Sequence, residues 1–512
     1  MIRADRAAWR PELIALLAAA ALARLAVFYL APNVHWPDEI YQALEPAHRL
    51  VFGTGAVAWE WTLGARSWLL PGFVAALMEV GRLIGDSHTA IDFPVHLFMA
   101  AAGCAPVACA YCWGRRFAGR AGGFVAGAVP ALWVDSIYLS GHTLAEVLAA
   151  DCLPVALYLG LPASGVASRA RLWLAGAFLG LTFDLRYHLA AALAVAALAI
   201  LWRRGGYRQW LALIAGACGP VLAMGLLDWA TLGHPFQSIF LNLAFNVAQG
   251  GDYAGRSSWL TLIVLPVYLW HAGAIAMLTA AAIGTRRLPS AALVAIAIFA
   301  TYSFVAHKEY RFIYPALVLI AILAGIGSAE ILRAARAAWP QALSSGAVAA
   351  SALTLFWLAI SIAIAQSPIY RDAWTRARAQ LLAFNYASRQ PDLCGVGLYG
   401  MKWPVTPGQT ALPPAVRLYQ STRSGLMNDA PAFNYLVTWG SVAVPASRYR
   451  RAACFDGDAG ADGTWQLRVC VWRRDGGCDA SAAPPFPVNW PGTLAGKTAM
   501  GEEYDWVSGN DR

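Results

Sequence analysis

The chain has 512 residues, 59% of them hydrophobic and 13% charged, with a mean hydropathy of +0.50. A soluble globular chain is about half apolar and about a quarter charged, so this composition excludes one and indicates a polytopic membrane protein. The formal net charge of +9 does not point to nucleic acid, because the arginines cluster in short loops between apolar stretches, as cytoplasmic loops do.

The basic N-terminus (Arg3, Arg6, Arg10) leads into a first apolar stretch over 13–31. No small-residue cleavage site follows, so the stretch reads as an uncleaved first span running from cytoplasm to outside. Arg24 lies within it, where a charge is costly and is expected to face protein or water.

His35-Trp36-Pro37-Asp38-Glu39 comes next. Proline suits the first turn of a helix, where its missing N–H would go unpaired anyway. Asp38 and Glu39 then occupy that turn, where the positive helix end favours ionised carboxylates. At helical spacing Asp38, Gln42, Glu45 and Arg49 share one face, with Ile40, Leu44 and Ala47 pointing elsewhere and Pro46 interrupting the helix. A short polar-faced helix on the membrane surface is the expectation, with a carboxylate able to take a proton. Trp59-Glu60-Trp61 and Arg66-Ser67-Trp68 follow at a tryptophan density that suits the headgroup region.

The apolar stretch 71–84 is short and interrupted by Glu79 and Arg82. If it crossed, the basic loop Arg115–Arg120 would lie outside, so it is read as not crossing. Ten further spans are then expected, at 91–113, 122–139, 143–160, 172–185, 188–202, 210–227, 260–283, 290–306, 313–332 and 345–365. This makes eleven, and every inner loop is basic: Arg115 to Arg120, Arg169 and Arg171, Arg203-Arg204 and Arg208, Arg286-Arg287, and Arg333 and Arg336. From Gln366 the composition turns polar and rich in Gly, Pro and Asp. The chain is therefore divided into a transmembrane part, 1–365, with outer juxtamembrane helices in 32–90, and an extracytoplasmic α/β region, 366–512. The latter carries Cys394, Cys454, Cys470 and Cys478, an even number consistent with disulfides in any of three pairings. No CxxC pair with a matching ligand set suggests zinc.

The same topology gathers mixed polar clusters on the outer face: His35–Glu45, Trp59–Arg66, His142–Glu146, Asp184–His188, Asn242–Asp252 and His307–Arg311. His307-Lys308-Glu309-Tyr310-Arg311-Phe312 is the densest, with two cations able to hold a phosphate at headgroup depth. Asn242 to Asn246 and Gly250 to Gly255 form a polar, glycine-rich stretch without a nucleotide-binding order. Arg186, beside Asp184 and His188, reads as a structural ion pair. His142 and Glu146 are one helical turn apart, and either line a cavity or cap a helix.

The acidic sequence after the first span, the Trp59-Glu60-Trp61 and Arg66-Ser67 stretch and His307-Lys308-Glu309-x-Arg311-Phe312 together resemble glycosyltransferase family 22. These are polyprenyl- or dolichyl-phosphate-mannose-dependent mannosyltransferases of the membrane-embedded GT-C fold. The resemblance covers about residues 12–335 and departs from the family pattern at Trp36, inserted before Pro37, and at Tyr310. It implies an all-α GT-C-type bundle and a transfer of a sugar, mannose by analogy, from a polyprenyl-phosphate donor to a lipid or glycan hydroxyl with inversion. In that reaction Asp38 is the expected base and Glu39 its alternate or orienter. Lys308 and Arg311 neutralise the departing phosphate, and His307 hydrogen-bonds it. Trp59, Glu60, Trp61, Arg66 and Asn246 hold the acceptor, and neither cofactor nor metal is called for. The alanine- and arginine-rich composition suggests a GC-rich bacterial genome, and with the topology above the expectation is an inner-membrane protein whose site faces the periplasm. The competing expectation is a transporter or flippase of a lipid-linked sugar. Transporters place ionisable groups near mid-membrane and repeat their halves, and neither feature is visible here.

Overall fold

The computed structural model describes residues 11–162, 165–202, 206–248, 257–401, 406–421, 426–457 and 468–482. Arg3, Arg6, Arg10, the Arg203-Arg204 pair and the stretch 250–255 lie outside these. The chain forms two compact units. One comprises Met1–Val27, Leu97–Phe236 and Leu243–Ser367; the other comprises Phe28–His96, Gln237–Asn242 and Pro368–Arg512. The change of composition at Gln366 thus falls beside a unit boundary, while residues 28–96 cluster with the C-terminal region instead of with the helices that follow them in sequence.

The first unit is helical. The stretches expected to span fall on helices, with 91–113 and 122–139 sharing the helix Ala105–Leu132. Among the described residues five helices are long and apolar enough to cross a membrane alone, or six if one bent pair counts as a single span. Helix starts follow local chemistry: Ser168 and Ser345 accept the N–H groups of Arg171 and Val348, capping Arg169–Leu185 and Gly346–Ala365. The helix Ala105–Leu132 is a hairpin. Its backbone leaves helical geometry at Ala118 and Gly119, the latter at φ 73°, which glycine tolerates. The two arms place Gly114 beside Ala126 and Gly127 beside Tyr111, small residues that let helices approach closely.

Arg24 is 1% exposed. It donates to the oxygens of Ala20 and Pro130 at 3.1 Å each and of Ala131 at 3.4 Å. The last two are carbonyls at the C-terminal end of the hairpin's second arm, where helical partners run out and a cation is favoured. The stretch 260–283, expected as one span, is two helices, Thr261–Trp270 and Gly273–Thr285, bent by 114°. The break lies at His271 (φ 48°, ψ −133°), with Pro266 in the preceding helix. Trp270, at the break, is anchored because its indole N–H donates to buried Asp135 at 2.6 Å.

The second unit is built on a five-stranded sheet of order β2-β1-β3-β5-β4: β1 Gly395–Tyr399, β2 Arg417–Ser421, β3 Tyr435–Trp439, β4 Arg450–Phe455 and β5 Val469–Arg473. β1 runs parallel to β2 and β3, and β5 runs antiparallel to β3 and β4. Every residue of β1 is buried, as a central parallel strand covered on both faces requires. One apolar core joins the sheet (Val396, Leu398, Val437, Val471) to the helix Arg378–Ser388 (Ala383, Phe384) and to Ile40, Leu44, Val74 and Met78 of the early stretch. The disulfides are Cys394–Cys478 and Cys454–Cys470, the second joining directly opposed residues of β4 and β5.

Candidate functional site

In the second unit, helix begins at Pro37 and runs to Phe52, but residues Glu39–Leu44 adopt the wider π register. The N–H of Glu45 reaches back five residues to the oxygen of Ile40. Pro46 has no N–H to give and crowds the carbonyl four residues before it, so the π turn accommodates it without a break. This register rotates the face expected from a 3.6-residue period. Asp38 and Gln42 remain together, and Gln42 Nε2 donates to Asp38 Oδ1 and, at 2.9 Å, to Glu60 Oε1. Glu45 instead turns inward and is 0% exposed. It accepts the N–H of Ala56 at 2.5 Å and of Thr410 at 2.9 Å. The single polar face over Asp38, Gln42, Glu45 and Arg49 is therefore not formed.

Asp38 is half-buried and Glu39 is buried. Glu60 is buried, with Arg66 Nη2 at 3.8 Å from Oε1. Burial pushes the Glu60 carboxyl above its ordinary range; Arg66 opposes this and the Asp38 charge adds to it. Trp61 donates its indole N–H to the oxygen of Tyr41 at 3.0 Å, and its ring lies 4.6 Å from that of Trp68. The side chain of Trp59 lies outside the described residues. The structure thus brings Asp38, Glu60 and Arg66 into one chain of polar contacts through Gln42, with Trp61 pinned to the same helix.

The second cluster lies in the first unit. Arg311 is 5% exposed and held by Glu309 on two sides, Nε to Oε2 at 2.8 Å and Nη2 to Oε1 at 3.1 Å. Its Nη1 lies 3.7 Å from Glu146, which also pairs with Arg186 at 3.1 Å. His307 Nε2 meets Glu309 Oε1 at 2.9 Å. Burial opposes ionisation of Glu309, but the His307 hydrogen bond and the Arg311 guanidinium outweigh it and hold the carboxyl down at about 2. Both guanidiniums stand over the Phe312 ring, Arg186 at 4.9 Å and Arg311 at 5.5 Å. Lys308 is held differently: its ammonium meets the carbonyl oxygens of Val305 and Ser257, and burial lowers its pKa. Asn246 is half-buried at the end of the helix Gln237–Ala248.

His307 and Arg311 therefore meet through Glu309, while Lys308, between them in sequence, is held by backbone carbonyls instead. Glu146 and Arg186 are additions to this cluster. The partner of Arg186 is Glu146, not Asp184, and His142 precedes the helix Ala145–Gly160 that Glu146 opens. A carboxylate in the first turn of a largely apolar, buried helix is the sequence signal for this pairing, since such a group needs a buried cation. Among the described residues no three His, Cys, Asp or Glu side chains converge in a way that would hold a metal ion.

The fold is that of ArnT from Cupriavidus metallidurans, whose crystal structure bound to undecaprenyl phosphate superposes with a TM-score of 0.54 at 15% identity, over 92% of this chain and 99% of that one. GPI alpha-1,2-mannosyltransferase 3 of Danio rerio is 28% identical over 360 residues, 65% of this chain and 61% of the relative. GPI mannosyltransferase 3 of Yarrowia lipolytica is 27% identical over 303 residues, 54% and 55%, and that of Drosophila melanogaster is 37% identical over 73 residues, 14% and 13%. The chain thus spans less than two thirds of the length of these relatives. The profile of one family matches residues 15–409, a stretch that includes both clusters: the chain belongs to the Alg9-like mannosyltransferase family.

Proposed function

We propose that the protein is a membrane mannosyltransferase that moves mannose from a polyprenyl-phosphate donor to an acceptor hydroxyl on the extracytoplasmic face, which in a bacterium is the periplasmic one. The observation that carries this reading is the pairing of a half-exposed carboxylate, Asp38, with a polar chain that orients it through half-buried Gln42, buried Glu60 and half-buried Arg66. Family membership supplies the sugar, and the two disulfides of the second unit suit a non-reducing compartment.

The chemistry divides the residues by role. The acceptor oxygen attacks the anomeric carbon from the face opposite the phosphate and inverts it. The carbon–oxygen bond to the lipid phosphate breaks, and the hydroxyl proton passes to Asp38. Glu39, being buried, supports Asp38 as an orienter. A lipid phosphate leaves as an anion and needs cations more than it needs an acid. Lys308 supplies the least compensated charge of its cluster, since Arg311 and Arg186 are faced by Glu309 and Glu146. Arg311 and His307 contribute hydrogen bonds in fixed directions. Trp59, Trp61, Arg66 and Asn246 hold the acceptor, and Glu60 acts through Gln42.

The test is purified protein in lipid with radiolabelled polyprenyl-phosphate-mannose and a lipid extract of the source organism, wild type beside Asp38→Asn. A labelled product made by the wild type alone, with donor binding retained in the variant, supports the proposal. Equal turnover by Asp38→Asn ends the assignment of the base. Transbilayer movement of the donor without product favours a flippase instead.

A further inference from the structure

We infer that Glu45 is a positioning residue for Asp38, and that through it the C-terminal region sets the place of the general base. The inference rests on the reading of Asp38 given above. One carboxylate collects three segments of the chain. It projects from the helix that starts at Pro37, its Oε2 accepts the N–H of Ala56, and its Oε1 accepts the N–H of Thr410, which lies after β1. One turn earlier on the same helix, the Tyr41 hydroxyl meets Thr406 at its carbonyl oxygen, 3.3 Å, and at Oγ1, 3.1 Å. The 406–411 loop is therefore tied twice to the π-helical turns between Asp38 and Glu45.

The backbone of that loop is shaped for the contact. Gly408 has φ 72°, and a Cβ there would lie 2.3 Å from Glu45 Oε1, so a side chain would push the carboxylate away. Ile40 and Leu44 pack into the same apolar core as Val396, Leu398, Leu412 and Leu418. Apolar contact alone leaves rotation of a helix loosely specified. Two directed N–H bonds to opposite oxygens of one side chain specify it, and they specify the wide register from which Gln42 reaches both Asp38 and Glu60. Both oxygens act as acceptors, so glutamine cannot replace the carboxylate without setting its amide N–H against a backbone N–H.

The experiment uses the full chain in lipid nanodiscs as wild type, Glu45→Gln and Tyr41→Phe, with polyprenyl-phosphate-mannose as probe. Turnover is counted per donor-binding molecule, so that loss of folded protein does not register. Hydrogen exchange is followed in peptides covering 39–44, 56 and 410. Glu45→Gln is expected to bind donor with a KM within about twofold of wild type while kcat per bound site falls at least about tenfold, as misplacement of a reacting group by a fraction of an ångström does. Exchange is expected to quicken together at Ala56, at Thr410 and across 39–44. Tyr41→Phe should do the same to a smaller degree. Turnover within about twofold of wild type, or faster exchange at 56 and 410 with 39–44 unchanged, overturns the inference. Should Glu45→Gln fail to bind donor, Tyr41→Phe decides on the same two criteria. If the wild type forms no product, the transfer reading fails, and the exchange measurements still determine whether Glu45 holds the helix.

Discussion

Glu45 makes a quantitative prediction about pH. Burial pushes its carboxyl up from 4.5 to about 7, against the N–H bonds of Ala56 and Thr410, which pull it down. The sign follows from which state keeps the proton. Below pH 4.5 both folded and unfolded chains are protonated here, and the stability is fully present. As pH rises from 4.5 to 7 the unfolded chain loses its proton first, so folding becomes less favourable; above 7 both forms are ionised and the change stops. A rise from 4.5 to about 7 corresponds to about 3 kcal/mol, most of which falls between pH 5 and pH 8. Tyr41 and Asp92 are titratable neighbours that interact with Glu45, so the comparison must cancel their contribution. Glu45→Gln also removes the charge that Asp92 feels, so both proteins in the comparison carry Asp92→Asn. The assay is hydrogen exchange at 39–44 and at Thr410 across this pH range, corrected for the intrinsic pH dependence of exchange and expressed as an opening free energy. In that background the opening free energy with Glu45 minus that with Glu45→Gln should fall by about 2–3 kcal/mol from pH 5 to pH 8, on top of a pH-independent offset of about 1–3 kcal/mol for the mismatched amide. Two parallel curves would refute the reasoning, since a carboxylate that stays ionised in both states leaves no slope.

Two further outcomes follow from named contacts. Glu146→Gln leaves Arg186 and Arg311 buried with one carboxylate fewer; it should lower stability by about 3–5 kcal/mol and raise the donor KM, with Glu146→Asp intermediate. Unchanged melting in nanodiscs together with unchanged donor titration would show that the pairing carries nothing. The disulfides differ in the loop each closes, 84 residues for Cys394–Cys478 and 16 for Cys454–Cys470. Cys394→Ser should therefore cost about 4–5 kcal/mol and Cys454→Ser about 3 kcal/mol in urea unfolding of the lipid-embedded protein. The reverse order would mean that native contacts, not chain entropy, dominate.

Much of the fold is legible in the sequence. Apolar runs and basic loops locate the helices of the first unit, because lipid leaves a spanning backbone no partner but itself. His307, Glu309 and Arg311 lie within five residues of one another, so their meeting is a local matter. Asp38 beside Gln42 follows from helical spacing, and the π register does not undo it. Four cysteines in a polar region announced disulfides.

The rest depended on contacts between residues far apart in the chain. The partner of Arg186 is Glu146, forty positions away, where adjacency had suggested Asp184. The cysteine pairing was one of three until the sheet order placed Cys454 opposite Cys470. The stretch 260–283 reads as one apolar run, and its 114° break at His271 accompanies the hold of Asp135, more than a hundred residues earlier, on Trp270. Glu45 is the sharpest case. Local periodicity puts it on a polar surface with Asp38, whereas the fold brings Ala56 and Thr410 to it and buries it. Sequence determined which segments are helical and which side chains can carry charge or take a proton. Only the tertiary structure decided which charges are neutralised, because a partner hundreds of residues away sets the free energy of a buried carboxylate and leaves no mark on local pattern.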